Sequence, residues 1–253
     1  MGKNYNIPSL ERGIKVVEAI LQEENGLTSL ELEERLKIPK TTIFRILYTL
    51  QNENWLEKKG DCLVAGHRLI LNGMRALRRI ELRDIAMPFM DKLSKNTEET
   101  AHLGIWAGKK VMMAEVCDGP KHIRIASRAG TLTDPHCSSL GKVLLAYTVG
   151  SENLESFFQG QILEQRTPNT ITDINKLKSE LERVKQNGYA EDNIEYHKDV
   201  RCLAAPIRNA SGNVVSAVGI TATTLTFAKS MIPEVAIQVT RIANEISRAL
   251  GAR

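Results

Sequence analysis

The sequence predicts an α+β fold in two parts: an N-terminal winged helix-turn-helix and a C-terminal domain around an antiparallel sheet. Three observations predict it. Residues 28–55 read as two short amphipathic helices with a tight break between them. A short basic hairpin follows at once. From about Glu99, short strands and helices mix without strict alternation, which marks an α+β domain.

A first helix is expected from Leu10 to Leu21, with Leu10, Ile14, Val17 and Leu21 as its apolar stripe toward the core. Thr28 and Glu31 fit a capping box that opens the second helix, on which Leu32 and Leu36 share a face. Lys37-Ile38-Pro39 interrupts, because Pro39 has no N–H and fits only a helix's first turn. Ile43, Ile46, Leu47 and Leu50 then restart the i, i+3, i+4, i+7 pattern. Thr41, Arg45, Tyr48 and Asn52 lie opposite that stripe, with Thr42 and Thr49 on its flank. Such a polar face suits the major groove, though a merely solvated helix looks the same. Strand candidates Trp55 to Lys58 and Cys62 to Ala65, joined through Lys59-Gly60-Asp61, complete a wing. Its Lys58 and Lys59 suit phosphate contacts, which position a protein on DNA without reading sequence. Lys40, Thr41, Thr42 and Arg45 are the candidates nearest the bases.

After the wing, His67 to Arg79 reads as a helix with a strongly basic end. A second helix runs from about Leu82 to Lys95 with Ile85, Phe89 and Leu93 at helical spacing. Together they read either as a linker with a stripe for dimer pairing or as helices packed on the second domain. The expected organisation is 1–66 for the winged helix-turn-helix, 67–96 for a helical linker and 97–253 for the second domain. Strands are expected at Ala101 to Gly108, Val111 to Val116, Ile123 to Ser127, Arg201 to Ile207 and Val214 to Ala222. Helices are expected at Leu140 to Tyr147, Ile174 to Gln186 and Ile232 to Leu250, the last with a stripe of Ile232, Val235, Ile242, Ile246 and Leu250.

Composition narrows the function classes. With 253 residues and 42% hydrophobic content, the chain can bury one or two ordinary cores. No stretch approaches the ~20 apolar residues of a membrane helix, and the first residues lack the apolar core of a secretory signal. Cys62, Cys117, Cys137 and Cys202 are scattered without C-x-x-C spacing, which favours reduced, cytoplasmic thiols over disulfides or structural zinc. The net charge is only +4, and +3 of it falls in residues 1–80 (13 Lys and Arg against 10 Asp and Glu). So small an excess implies two or more copies acting together if the target is DNA.

In the second domain, Asp134 to Lys142 (DPHCSSLGK) concentrates reactive residue types. Neighbouring nucleophiles and bases rarely reach catalytic geometry, so Cys137 or Ser138 with His136 makes a poor enzyme site. Nor is it a P-loop: position 136 is not glycine and Val143 replaces Ser or Thr. A Ser-capped helix start that favours a carboxylate is the better functional reading, beside an ordinary capped helix. Glu191, Asp192 and Glu195 form an acidic loop. His102, His122 and His136 with Cys117 and Cys137 would hold a metal only if folding gathered them, and no metal or other cofactor is expected.

The whole chain resembles the bacterial isocitrate-lyase-regulator (IclR) family of transcription factors. The residues that carry the resemblance are Ser9 to Gly13 (SLERG), Lys40 to Leu47 (KTTIFRIL) and His136 to Ala146 (HCSSLGKVLLA). Further along come Thr167 to Thr172 (TPNTIT), Gly188-Tyr189, Glu195, Arg201 to Pro206 (RCLAAP) and Gly212. The resemblance implies a winged helix-turn-helix, a helical linker and a GAF-like effector-binding domain, assembled as a homodimer or homotetramer on a double-stranded DNA operator. It implies a small organic acid in a pocket of Ser139, Leu140, Asp192, Cys202, Gly219 and Thr221. Gly219 departs from the family pattern, in which relatives carry a hydroxyl. The implied function is a DNA-binding regulator, a repressor of a catabolic operon released by a carboxylate or sugar acid. Two rivals predict otherwise: an enzyme with Cys137 or Cys202 reactive would turn over a carbonyl substrate, and a constitutive binder would ignore every metabolite.

Overall fold

The structure, a computed structural model, describes residues 6–78 and 81–252, apart from the side chains of 75–78 and 81. Of the expected basic end of the first linker helix, Arg79 lies outside the described residues, as do the side chains of Arg75 and Arg78. The chain divides into two compact units, Met1–Ile80 and Glu81–Arg253.

In the first unit, α1 (Pro8–Leu21), α2 (Ser29–Leu36) and α3 (Lys40–Asn52) precede a hairpin of β1 (Leu56–Lys59) and β2 (Cys62–Ala65), and α4 (His67–Arg78) ends it. The capping box is present: the Glu31 N–H donates to Thr28 Oγ1 and the Thr28 N–H donates to the Glu31 carboxylate. Lys37 then turns into the left-handed region at φ 52°, closing α2 on Glu33 O. Pro39 holds extended backbone, and its carbonyl accepts the N–H of Ile43 to start α3. The wing is tighter than expected: Lys59 pairs with Cys62, leaving Gly60 and Asp61 as the turn with Gly60 at φ +65°.

Val16, Ala19, Ile20, Leu32, Ile43, Leu47, Leu56 and Leu63 form the small core of this unit, with Ile46 and Leu50 packed against it. The stripe expected to bury α1 is overturned. Leu10, Ile14 and Leu21 are exposed, and the helix instead buries Val16, Ala19 and Ile20, a face about 100° away. Both faces are apolar, so periodicity alone does not choose between them; the small Ala19 allows the closer approach.

The second unit is an antiparallel six-stranded sheet between helices. Its strands are β3 (Thr100–Ala107), β4 (Lys110–Cys117), β5 (Leu132–Thr133), β6 (Ala190–Asn193), β7 (Val200–Arg208) and β8 (Val214–Thr223). They lie in the order β5-β4-β3-β8-β7-β6. One face packs on α5 (Glu81–Thr97) and α9 (Ile232–Ala249), joining Leu103, Leu203, Ala205, Val218 and Ile220 to Met90, Leu93, Val239 and Ile242. The other face packs on α6 (Ser139–Leu144), which continues as a π turn through Val149, and on α7 (Leu154–Phe157) and α8 (Ile174–Asn187).

Ala86, Met90 and Leu93 of α5 are fully buried in this unit, so α5 is part of its core rather than a free-standing linker. No strand forms at Ile123 to Ser127; the open edge of β4 is taken by Leu132 and Thr133 instead. The acidic segment at 190–193 is the edge strand β6, which buries Asp192.

Candidate functional sites: an exposed helix and a cavity

On α3 the buried stripe fixes what faces outward. Lys40, Thr41 and Arg45 are exposed and Thr42 is half-buried, while Lys58 and Lys59 are exposed on the wing. The helix contains no Asp or Glu. Lys58 lies 3.8 Å from Asp61, a surface pair too solvated to hold the lysine in place. The outer face also carries Phe44, 68% exposed, and Tyr48, 60% exposed. Phe44 was missed because a phenylalanine in an amphipathic helix reads as core.

In the second unit, strand alternation sends His102, Cys202 and Thr221 to the α6 side of the sheet. Register then brings them together, with Asp192 opposite Cys202, Cys202 opposite Thr221 and His102 opposite Gly219. They line one end of a 370 Å³ cavity with Ser138, Ser139 and Leu140 of the α6 start. Met113, Ile125, Ala126, Leu140 and Val200 supply apolar wall, and Tyr196 also borders the space. Of the sequence candidates, Ser139, Leu140, Asp192, Cys202 and Thr221 line the cavity. Gly219 does not: a Cβ there would stand 2.1 Å from Leu203 O, so the close approach of β7 requires glycine. His102 stood in the sequence only among the scattered metal candidates, because its hydrogen-bond partner Thr221 lies 119 residues away.

Hydrogen bonding fixes most of the wall. Ser138 caps α6 by accepting from the Gly141 N–H, and donates its own hydroxyl proton to Asp134 O. Gly141 lets Pro135 pack against the helix, since a Cβ would lie 2.3 Å from Pro135 Cα. The first-turn N–H groups of Ser139 and Leu140 have no partner four residues back within the helix. His102 Nε2 meets Thr221 Oγ1, which also lies 3.4 Å from Cys202 Sγ. Asp192 Oδ1 accepts N–H groups from Glu195 (2.7 Å) and Tyr196 (3.2 Å). His102 Nδ1 and Asp192 Oδ2 are left buried with no partner.

Burial sets the charges. It pushes the Asp192 carboxyl up to about 7, the two N–H bonds pulling it back and the nearby Glu195 charge raising it further. It drops His102 to about 4, so its imidazole is neutral. The Cys202 thiol is driven well up by burial and by Asp192. Lys142 is not a cavity cation: its ammonium donates to Glu195 (2.6 Å), Glu180 (3.2 Å) and Glu191 O (2.9 Å).

The cluster at 134–142 has no nucleophile–base pair. His136 Nε2 lies 3.0 Å from Glu164 O, and the Cys137 thiol faces Asp134 O with its pKa raised to about 12 by burial. The His and Cys residues weighed as metal ligands do not converge, and no cluster fit for a metal occurs among the described residues. The cysteines are all free thiols.

Comparison with known proteins assigns both units to one family. Residues 9–60 match the IclR helix-turn-helix domain, and residues 74–248 match the C-terminal domain of bacterial transcriptional regulator IclR. The HTH-type transcriptional regulator KdgR of Escherichia coli K12 is 29% identical over 97% of this chain and 94% of its own length. RhmR, an HTH-type regulator from the same strain, is 30% identical over 99% and 96%. The crystal structure of Thermotoga maritima IclR superposes with a TM-score of 0.78 at 30% identity, covering 97% of this chain and all of that one. The chain therefore belongs to the IclR family of bacterial transcriptional regulators, DNA-binding proteins that join a helix-turn-helix to an effector-binding domain.

Proposed function

We propose that this regulator represses a catabolic operon and is released by a small hydroxy acid or sugar acid bound in the 370 Å³ cavity. The observation that carries the ligand class is the cavity lining, apolar along Met113, Ile125, Ala126 and Leu140 with the Ser139 and Thr221 hydroxyls and the Asp192 carboxyl among them. An apolar wall with a few convergent polar groups suits a small ligand whose hydroxyls and acid group meet those polar side chains. Among the described residues, no Lys or Arg lines the cavity. An acid end would then be met by uncharged donors, the N–H groups of Ser139 and Leu140 and the Ser139 and Thr221 hydroxyls. Cys202 serves as wall, its thiol too hard to ionise for nucleophilic work.

On the DNA side, α3 enters the major groove with Lys40, Thr41, Thr42 and Arg45 at bases and phosphates, and Lys58 and Lys59 of the wing hold the backbone. The regulator acts as a homodimer or homotetramer, so that two α3 helices meet a near-palindromic operator. The exposed apolar stripe of Ile7, Leu10, Ile14 and Leu21 supports this, as do exposed Ile70, Leu71 and Met74 on α4. The effector acts by binding one quaternary arrangement better than the other, and DNA must reciprocally change effector affinity.

A thermal-shift screen of hydroxy acids and sugar acids tests the reading, since a specific ligand raises stability by mass action. Hits are expected to release the full chain from a duplex obtained by selection from random DNA. If no acid raises the melting temperature and none alters DNA affinity, the effector assignment fails.

A further inference from the structure

The outer face of α3 holds something that phosphate chemistry does not use. Phe44 and Tyr48 sit one turn apart with ring centroids 6.4 Å apart and planes inclined by 23°, forming an exposed apolar plate. Phe44 is 68% exposed, and among the described residues no other ring or cation stacks on it. Lys40 and Thr41 precede it by one turn and Arg45 follows it, all exposed, and the helix has no acidic residue to repel a polyanion. The first turns of a helix in this motif are the part that reaches base edges.

We infer that Phe44, steadied by Tyr48, reads the 5-methyl group of a thymine in each operator half-site. Phosphates and the donor and acceptor edges of bases offer an aromatic ring nothing that water does not. The thymine methyl is the apolar feature of the major-groove floor, and packing a ring against it removes both surfaces from water. Tyr48 limits the rotamers of Phe44, so less side-chain freedom is lost on binding. Arg45 supplies the hydrogen-bonding part of the readout and Phe44 the apolar part. The inference rests on α3 being the reading helix.

The test uses the full chain and its preferred duplex, selected from a random library, with Kd measured by fluorescence anisotropy. Each thymine is replaced in turn by deoxyuridine, which removes the methyl and keeps the pairing. At one position per half-site the wild type is expected to lose about fourfold in affinity, the worth of one buried methyl. Phe44→Ala should bind the thymine and deoxyuridine sites alike, whereas Phe44→Leu, still apolar, should keep part of the difference. The inference is overturned if no half-site thymine matters, or if Phe44→Ala retains the full penalty. It is also overturned if Phe44→Ala changes the assembly size in sedimentation while discrimination persists, because the ring would then be a subunit contact. Arg45→Ala separates the two levels. If that variant keeps wild-type specificity, the reading-helix assignment itself is wrong; if it loses binding and deoxyuridine has no effect, only the methyl readout fails.

Discussion

The N-terminal unit turns apolar side chains outward, whereas the C-terminal unit turns polar ones inward. Among the described residues, the first 80 expose Ile7, Leu10, Ile14, Leu21, Leu30, Phe44, Tyr48, Ile70, Leu71 and Met74, yet bury no polar or charged side chain. The C-terminal unit buries His102, Asp134, Lys142, Asp192, Glu195, Arg201 and Thr221 among others. The contrast follows what each unit must bind. A unit that works on a large surface keeps its apolar contacts outside, where DNA can reach them. A unit that recognises a small molecule keeps its specificity in buried polar groups, whose hydrogen bonds are strongest and whose unsatisfied atoms cost most.

The comparison breaks first at Lys142. Its ammonium is fully buried between Glu195 and Glu180. Lys142→Ala leaves buried carboxylates uncompensated and should destabilise the C-terminal unit by about 3–5 kcal/mol. Urea unfolding followed by circular dichroism would show it; a wild-type midpoint would mean that the cluster is no anchor. Arg45→Ala should leave unfolding untouched and weaken operator binding by about 1–3 kcal/mol per subunit. Calorimetry should find its effector binding intact. Strong operator binding with unchanged specificity would remove α3 from the interface.

Acidity sharpens the contrast at Asp192, whose carboxyl burial brings up to about 7. The raised Asp192 carboxyl is ionised above about 7 and neutral below it. An anionic effector is repelled by the ionised form, so affinity should rise as pH falls from 8 to 6, with a limit of about tenfold per unit above the pKa. Asp192→Asn should flatten the profile in isothermal titration. Folding stability is a poorer probe, because two shifts oppose each other. Asp192 favours the folded state less as pH rises from about 4 to about 7, whereas His102, lowered to about 4 from 6.5, favours it less as pH falls through that window. The smallest effect is at Thr221. Thr221→Val removes the partner of His102 Nε2 and should cost about 1 kcal/mol of effector affinity without altering DNA binding in the absence of effector. An unchanged effector response would take Thr221 out of the site.

Legibility in the sequence also divides along this line. The capping box at Thr28, the break at Pro39 and the Ile43 stripe are local, so the helix pair was readable from spacing. Leu10 and Ile14 misled because α1 is apolar on two faces, and only packing against α2 and β2 selects Val16 and Ile20. The edge strand β6 was invisible because Glu191, Asp192 and Asn193 lack strand-forming side chains; it is held by its ladder to β7. Ser139, Leu140, Asp192, Cys202 and Thr221 came from family likeness rather than from pattern, and His102 came from neither.

The sequence by itself determined the α+β class, the helix-turn-helix and the family, because caps, helical spacing and linear motifs are encoded over a few residues. Tertiary structure alone decided which face of α1 is buried, that α5 belongs to the C-terminal core, and that His102, Asp192 and Thr221 share one cavity. Those outcomes depend on contacts between segments distant in the chain. There, strand register and close packing, such as that of Gly219 against β7, set which side chains meet.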